Sequence, residues 1–151
     1  MKKLILQSFL LLTSAAFFSF NSNPGGEGFE VYVNGKLMVQ RFGQEMNKPH
    51  TLRFETGTGN EMISIRYYHC GKMGKNRVLT VKDSRENILK SIRFADEKNT
   101  ASEMTCRVSD LIYFPQSASG SLRLYYSSSE IPDGRLLLSM VNQPTAVTAS
   151  R

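Results

Sequence analysis

From Phe29 onward the apolar residues recur chiefly at every second position, in short runs broken by Gly, Asn, Asp, Pro and Ser. Successive side chains of a strand point to opposite faces, so this period marks half-buried β-strands. The runs predict about eight to nine short strands, at 29–33, 36–42, 51–55, 61–70, 77–82, 88–95, 104–111, 121–127 and 135–141. Such a set, without an internal repeat, fits an all-β, antiparallel two-sheet β-sandwich, immunoglobulin-like or jelly-roll-like, with a partly closed barrel as the alternative. Residues 83–98 are the one stretch arguable as an amphipathic helix, but Ile92 and Phe94 alternate with Arg93 and Ala95 as in a strand.

Two turns set the expected registers. Asn34-Gly35 closed as a two-residue turn pairs Tyr32 with Leu37 and Val31 with Met38, which leaves both faces partly apolar. A three-residue loop, Val33-Asn34-Gly35, pairs Val31 with Leu37 and Phe29 with Val39 and gathers all four on one face, so the longer loop is expected. Ile131-Pro132-Asp133-Gly134 marks a second turn, between Leu122/Leu124/Tyr126 and Leu136/Leu138/Met140.

The first twenty-two residues read differently. Lys2 and Lys3 precede an apolar run at 4–12 and the small residues Thr13, Ser14, Ala15 and Ala16, the order of a secretory signal peptide. Cleavage is expected after Ala16, with a site nearer Ser22 as the alternative because Phe17, Phe18 and Phe20 prolong the apolar stretch. An uncleaved anchor is disfavoured, since Gln7, Ser8, Thr13 and Ser14 interrupt a run already short of the ~20 apolar residues a span needs. The expected organisation is a signal peptide at 1–22, a flexible lead-in at 23–28, a sandwich domain at 29–141 and a polar tail at 142–151. The expected compartment is therefore the periplasm or the exterior, with no stable membrane insertion after cleavage.

Composition then adjusts this picture. The formal charge of +6 includes Lys2 and Lys3, so the mature chain carries seventeen bases against thirteen acids. These alternate in sign, as in Lys82-Asp83-Ser84-Arg85-Glu86, which argues for a solvated surface and against nucleic-acid binding. A chain of 151 residues favours one domain, and 40% hydrophobic residues exclude wholesale disorder.

Candidate chemistry concentrates in Arg66-Tyr-Tyr-His-Cys-Gly-Lys-Met-Gly-Lys-Asn-Arg77. His69, Cys70 and Met73 are soft ligands that would suit copper, although neighbours in a strand face opposite ways and no paired zinc spacing is present. Cys70 and Cys106, in an oxidising compartment, are candidates for a disulfide, a bond that would remove Cys70 as a thiolate ligand. Gly71 and Gly74 with Lys72, Lys75 and Arg77 form a weak candidate for an anion-binding loop, which matches neither a P-loop nor a dinucleotide fingerprint. Catalysis is not expected: His50 and His69 are the only histidines, and neither belongs to a readable set of nucleophile, base and orienting group.

Tyr126 is in phase with Leu122 and Leu124 and belongs to the expected core. Tyr125, Tyr32 and Tyr68 fall on the outward phase and form a candidate exposed aromatic surface for a glycan or an envelope protein. From FEVYVNGK through RYYHCGKMGKNRVLTVKD to LRLYYSSSEIPDGRLL the chain resembles small exported all-β proteins of uncharacterised bacterial families. That resemblance implies the fold and the compartment and transfers no functional residue. The function expected from these readings is a non-catalytic binding or interaction module, with a copper-binding protein as the alternative. Intact-mass spectrometry of protein from the exported fraction should find the chain shortened past Ala16, and a mass that still includes Lys2 would overturn export by cleavage.

Overall fold

The computed structural model describes residues 26–55, 58–111 and 121–143. The expected leader at 1–22 and most of the tail expected at 142–151 lie outside the described residues, whereas Glu27 and Gly28 of the expected lead-in and Asn142 and Gln143 of the expected tail belong to strands. Among the described residues there are nine strands: β1 Glu27–Val33, β2 Lys36–Phe42, β3 Thr51–Glu55, β4 Met62–His69, β5 Val78–Lys82, β6 Ile88–Arg93, β7 Met104–Arg107, β8 Leu122–Ser128 and β9 Ile131–Gln143. They form a four-stranded sheet, β2-β1-β4-β7, and a five-stranded sheet, β3-β9-β8-β5-β6. In chain order the described strands change sheet five times.

The period-two pattern decides which side chains meet. Phe29 and Val31 of β1, Ile63, Ile65 and Tyr67 of β4, and Met104 of β7 face inward from one sheet. Leu79 and Val81 of β5, Leu124 and Tyr126 of β8, and Leu138 and Met140 of β9 meet them from the other. Burial of each such side chain contributes about 1.5–3 kcal/mol before conformational entropy is offset. The run expected as one strand at 104–111 ends at Arg107 and turns into a single helical turn, α1 (Val108–Leu111), whose Val108 and Leu111 are buried. Met46, on the short 3-10 segment Gly43–Asn47, is also buried.

Three expectations need correction. The sheets are not wholly antiparallel, because β3 runs parallel to β9, with Thr51 opposite Ser139 and Glu55 opposite Gln143. A pairing between segments so far apart in the chain leaves no local trace in the alternation. The second hairpin turns at Ser129-Glu130, with Ser128 opposite Ile131, and the Pro132-Asp133-Gly134 stretch lies within β9 as a bulge that brings Arg135 opposite Tyr126. The Ser128 hydroxyl accepts the Glu130 N–H, and the Ser129 N–H donates to the Lys75 carbonyl, which holds the turn at that place.

The first hairpin closes on two residues, Asn34 and Gly35, both at positive φ (50° and 77°), with Val33 opposite Lys36 and Tyr32 opposite Leu37. The apolar pattern is rescued by a bulge. Met38 is the extra residue, so Val39 returns opposite Val31 and is buried, while Leu37 and Met38 stay exposed. Removing Met38 should therefore leave every buried pair intact and cost about 1 kcal/mol or less, whereas removing Gln40 carries Phe42 to the inward phase and Arg41 to the outward one and costs more than about 3 kcal/mol. Denaturant melts of the two deletions check this, and equal losses would refute the bulge account.

Candidate functional site

The loop after β4 holds the residues that the sequence singles out. His69, the last residue of β4, points inward and is 7% exposed; its Nε2 lies 2.9 Å from the Tyr126 hydroxyl. Tyr67 and Tyr126 stack at 4.4 Å between ring centroids, and the His69 ring packs 4.8 Å from Tyr67. Cys70 is exposed at φ 52°, and the Lys72 N–H donates to the His69 carbonyl to close the turn. Met73 is exposed as well. The three soft ligands are thus divided, with His69 in the interior and Cys70 and Met73 facing solvent. Among the described residues no group of three or more His, Cys, Asp and Glu is placed to hold a metal ion.

The anion-loop expectation meets a different fate. Three successive backbone N–H groups do converge on anions, and the anions are the protein's own carboxylates. Gly74 N–H donates to Glu97 Oε2 at 2.7 Å, Lys75 N–H to Glu130 Oε2 at 3.0 Å, and Asn76 N–H to Asp96 Oδ1 at 2.7 Å. Arg77 is buried rather than free: Nη1 lies 3.5 Å from Glu97 Oε1 and donates to the Ser102 carbonyl at 2.6 Å, while Nε donates to the Ala95 carbonyl at 2.8 Å. Glu97 closes the arrangement by donating its N–H to the Gly74 carbonyl. A Cβ on Gly74 would lie 2.8 Å from His69 Nε2 and 2.9 Å from the Tyr126 hydroxyl, so a side chain there has no room. Of the three bases proposed for an anion, Lys72 and Lys75 remain on the surface and Arg77 is spent internally.

The disulfide expectation is corrected. Both cysteines are free, Cys70 exposed and Cys106 half-buried. Cys106 sits opposite Ile63 in the β4–β7 ladder, and Cys70 lies seven residues after Ile63, just past the end of β4. At the rise of a strand that is about 23 Å, far beyond the ~7 Å over which two Cα atoms can be bridged. Burial, with Asp110 nearby, pushes the Cys106 thiol up to about 11.

Of the three outward tyrosines, two share a face. Tyr32 and Tyr68 lie on the outer side of the four-stranded sheet, and Tyr125 lies on the outer side of the other. Tyr125 is also covered: Lys82 Nζ sits 4.5 Å above its ring, and its hydroxyl donates to Glu86, which also pairs with Arg123. The face bearing Tyr32 and Tyr68 centres on Glu30, which is 8% exposed. Both phenols donate to Glu30 Oε2, at 2.8 and 3.0 Å, and Gln40 Nε2 donates to Oε1 at 2.8 Å. Bonding to Glu30, then burial, raises the Tyr32 phenol, and burial, then Glu30, raises Tyr68; both stay protonated donors. Arg66 lies over the Tyr32 ring at 5.1 Å, with looser contacts of 3.9 Å to Glu30 and 3.7 Å to Glu103. Phe42 extends the strip, its ring 5.2 Å from Tyr68. It lies across Gly28, where a Cβ would meet the ring at 2.0 Å.

Glu30, Gln40, Phe42 and Arg66 escape a search for catalytic or metal motifs. Their signal is the outward phase itself: Glu30/Tyr32, Gln40/Phe42 and Arg66/Tyr68 each stand two residues apart on strands that prove to be adjacent. No protein-family model matches this chain, and no curated protein matches it in sequence.

The buried Arg77–Glu97 pair yields a first expectation. Glu97→Ala leaves the buried guanidinium with carbonyl partners but without the Glu97 carboxylate, removes the acceptor of the Gly74 N–H, and should cost about 3–5 kcal/mol in a denaturant melt, where a loss under 1 kcal/mol would show the pair to be incidental. A second concerns pH. Burial holds the His69 pKa below its ordinary 6.5, against the opposing pull of Glu97, Glu130 and Glu27. The unfolded chain therefore takes the proton first, so this stability is present above pH 6.5 and drains away as pH falls through the folded value. The stability lost between about pH 6.5 and 5 should be smaller in His69→Gln, with a residue from His50, whose pKa is lowered by burial and by Arg41.

Proposed function

We propose that the chain is an exported, non-catalytic binding module of the cell envelope, and that it engages its ligand with the outer face of the four-stranded sheet. The observation that carries this reading is Glu30. A carboxylate on the outer side of a sheet serves no core, yet here it is nine-tenths covered and held by two tyrosines and Gln40. Such fixing is what a recognition surface needs, because groups already held in place lose little freedom on binding.

A glycan fits this face better than a charged partner. Tyr32, Tyr68 and Phe42 supply ring surface for the apolar faces of sugar rings, and Arg66 offers donors in long, unsaturated contacts. Glu30 and Glu103 offset the guanidinium, so the surface favours a neutral polyhydroxylated ligand over an ion. The non-catalytic part of the reading draws support from the histidines, since His69 is committed to Tyr126 and His50 Nδ1 faces Arg41 Nη2 at 3.3 Å.

Affinity electrophoresis of the purified chain against envelope polysaccharides should show retardation that Tyr68→Ala and Arg66→Ala each reduce at least about tenfold, or about 1.4 kcal/mol. Retardation untouched by either substitution would refute this face as the site. Binding to an envelope protein with the same sensitivity would keep the face and replace the glycan.

A further inference from the structure

The five-stranded sheet contains a gap that neither the core nor the aromatic face uses. β9 runs from Ile131 to Gln143, but β3 pairs with it only from Ser139 onward. Before β3 the chain splays away through Met46 and Pro49, so the far edge of β9 over 131–138 is left without a strand beside it among the described residues. Between the two diverging segments lies a cleft of about 360 Å³, within the roughly 300–1,000 Å³ range of small-ligand sites. Met46, Lys48 and His50 line one side, and Arg135, Leu136 and Leu137 the other. The cleft narrows to an apex where the Ser139 N–H donates to the His50 carbonyl at 2.8 Å.

That shape selects for a chain end. An added strand running through would have to break the Ser139–His50 bond, whereas a terminus can enter the open side and stop at the apex. The charges select which terminus. Lys48 and Arg135 are the charged side chains that line the cleft, each paired with a carboxylate outside the lining, Glu45 and Glu27, and Arg41 stands behind His50 as a third base. Lys48 and Glu45 are both exposed, so their pairing is easily exchanged. Arg41, a donor only, faces His50 Nδ1, which makes that atom the acceptor and leaves the proton of the neutral ring on Nε2. Burial, then Arg41, lowers the His50 pKa and keeps the ring in that form. The Nε atoms of Arg41 and Arg135 are both buried with no acceptor, so each guanidinium is one bond short.

We propose that this cleft captures the carboxyl-terminal end of an extended apolar peptide, which adds to the free edge of β9 and places its carboxylate towards His50 and Lys48. Edge N–H and C=O groups of β9 pair with the peptide backbone, and Leu136, 37% exposed, packs against its last side chains. The site lies apart from the Glu30 face, so it stands or falls separately from the glycan reading.

The test is fluorescence polarisation with fluorescein-Ala-Ala-Leu-Val-Val as the free acid and as the carboxyl-terminal amide. The acid should bind at least about tenfold more tightly than the amide, and Lys48→Ala and His50→Ala should each weaken the acid several-fold while Tyr68→Ala changes nothing. Lys48 is exposed and its removal leaves the fold intact; thermal melts serve as the control for His50→Ala. Acid and amide binding alike, no binding of either, or displacement by hexanoate as effective as by unlabelled peptide would overturn the proposal.

Discussion

The three consecutive N–H groups of Gly74, Lys75 and Asn76 sit where the chain leaves the four-stranded sheet and enters the five-stranded one. The Gly74 donor is buried and must find an acceptor, those of Lys75 and Asn76 lie nearer the surface, and for all three the acceptors arrive from other parts of the chain: Asp96 and Glu97 after β6, and Glu130 at the turn between β8 and β9. One loop thereby ties together the end of β4, the exit of β6 and the last hairpin. Arg77 and Glu97, whose side chains are 4% and 0% exposed, make the knot tight at the cost of desolvating two charges. Beneath it His69 meets Tyr126 and Tyr67 stacks on Tyr126, so the two sheets touch through rings and hydrogen bonds at this end instead of aliphatic side chains alone. Glu27 adds a second crossing, taking the Tyr67 hydroxyl from its own sheet and Arg135 from the opposite one.

Elsewhere the fold is governed by register. Each sheet has one inward row, and a slip of one residue would turn that row to solvent. The extra residue at Met38 and the bulged stretch of β9 are where the chain absorbs a mismatch between tight turns and apolar spacing. Both have consequences outside the core. The first keeps Gln40 opposite Glu30 and so completes the outer cluster. The second brings Arg135 opposite Tyr126, within reach of Glu27 and beside the cleft where β3 diverges from β9.

The residues with conspicuous chemistry were the ones most absorbed by structure. His69, Cys70 and Met73 look like a ligand set in one dimension because they lie within five residues, but the strand's alternation sends His69 inward and the turn sends the others out. Lys72, Lys75 and Arg77 look like an anion cradle, and the backbone of that loop does bind anions, supplied internally. The Cys70–Cys106 pair followed from number and compartment and failed on distance along β4. Conversely, Glu30 and Arg135 carry no motif, and their interest comes from neighbours that no local reading can assign.

Alternation of apolar residues by itself determined the all-β class, the position of the nine described strands to within a few residues, and most of the inward rows, Tyr126 included, with Leu37 and Leu136 turned out at the bulges. The same alternation placed Tyr32 and Tyr68 outward. These follow from the strand's period of two, a property of the local backbone that every stretch carries with it. Only the tertiary structure decided that β3 lies parallel to β9, that Tyr125 is on the other sheet and covered by Lys82 and Glu86, and that a basic loop closes on Asp96, Glu97 and Glu130. Each of those depends on which distant segments become neighbours, and that choice is made by packing two faces into one core, where the free energy belongs to pairs of segments and to no single stretch of sequence.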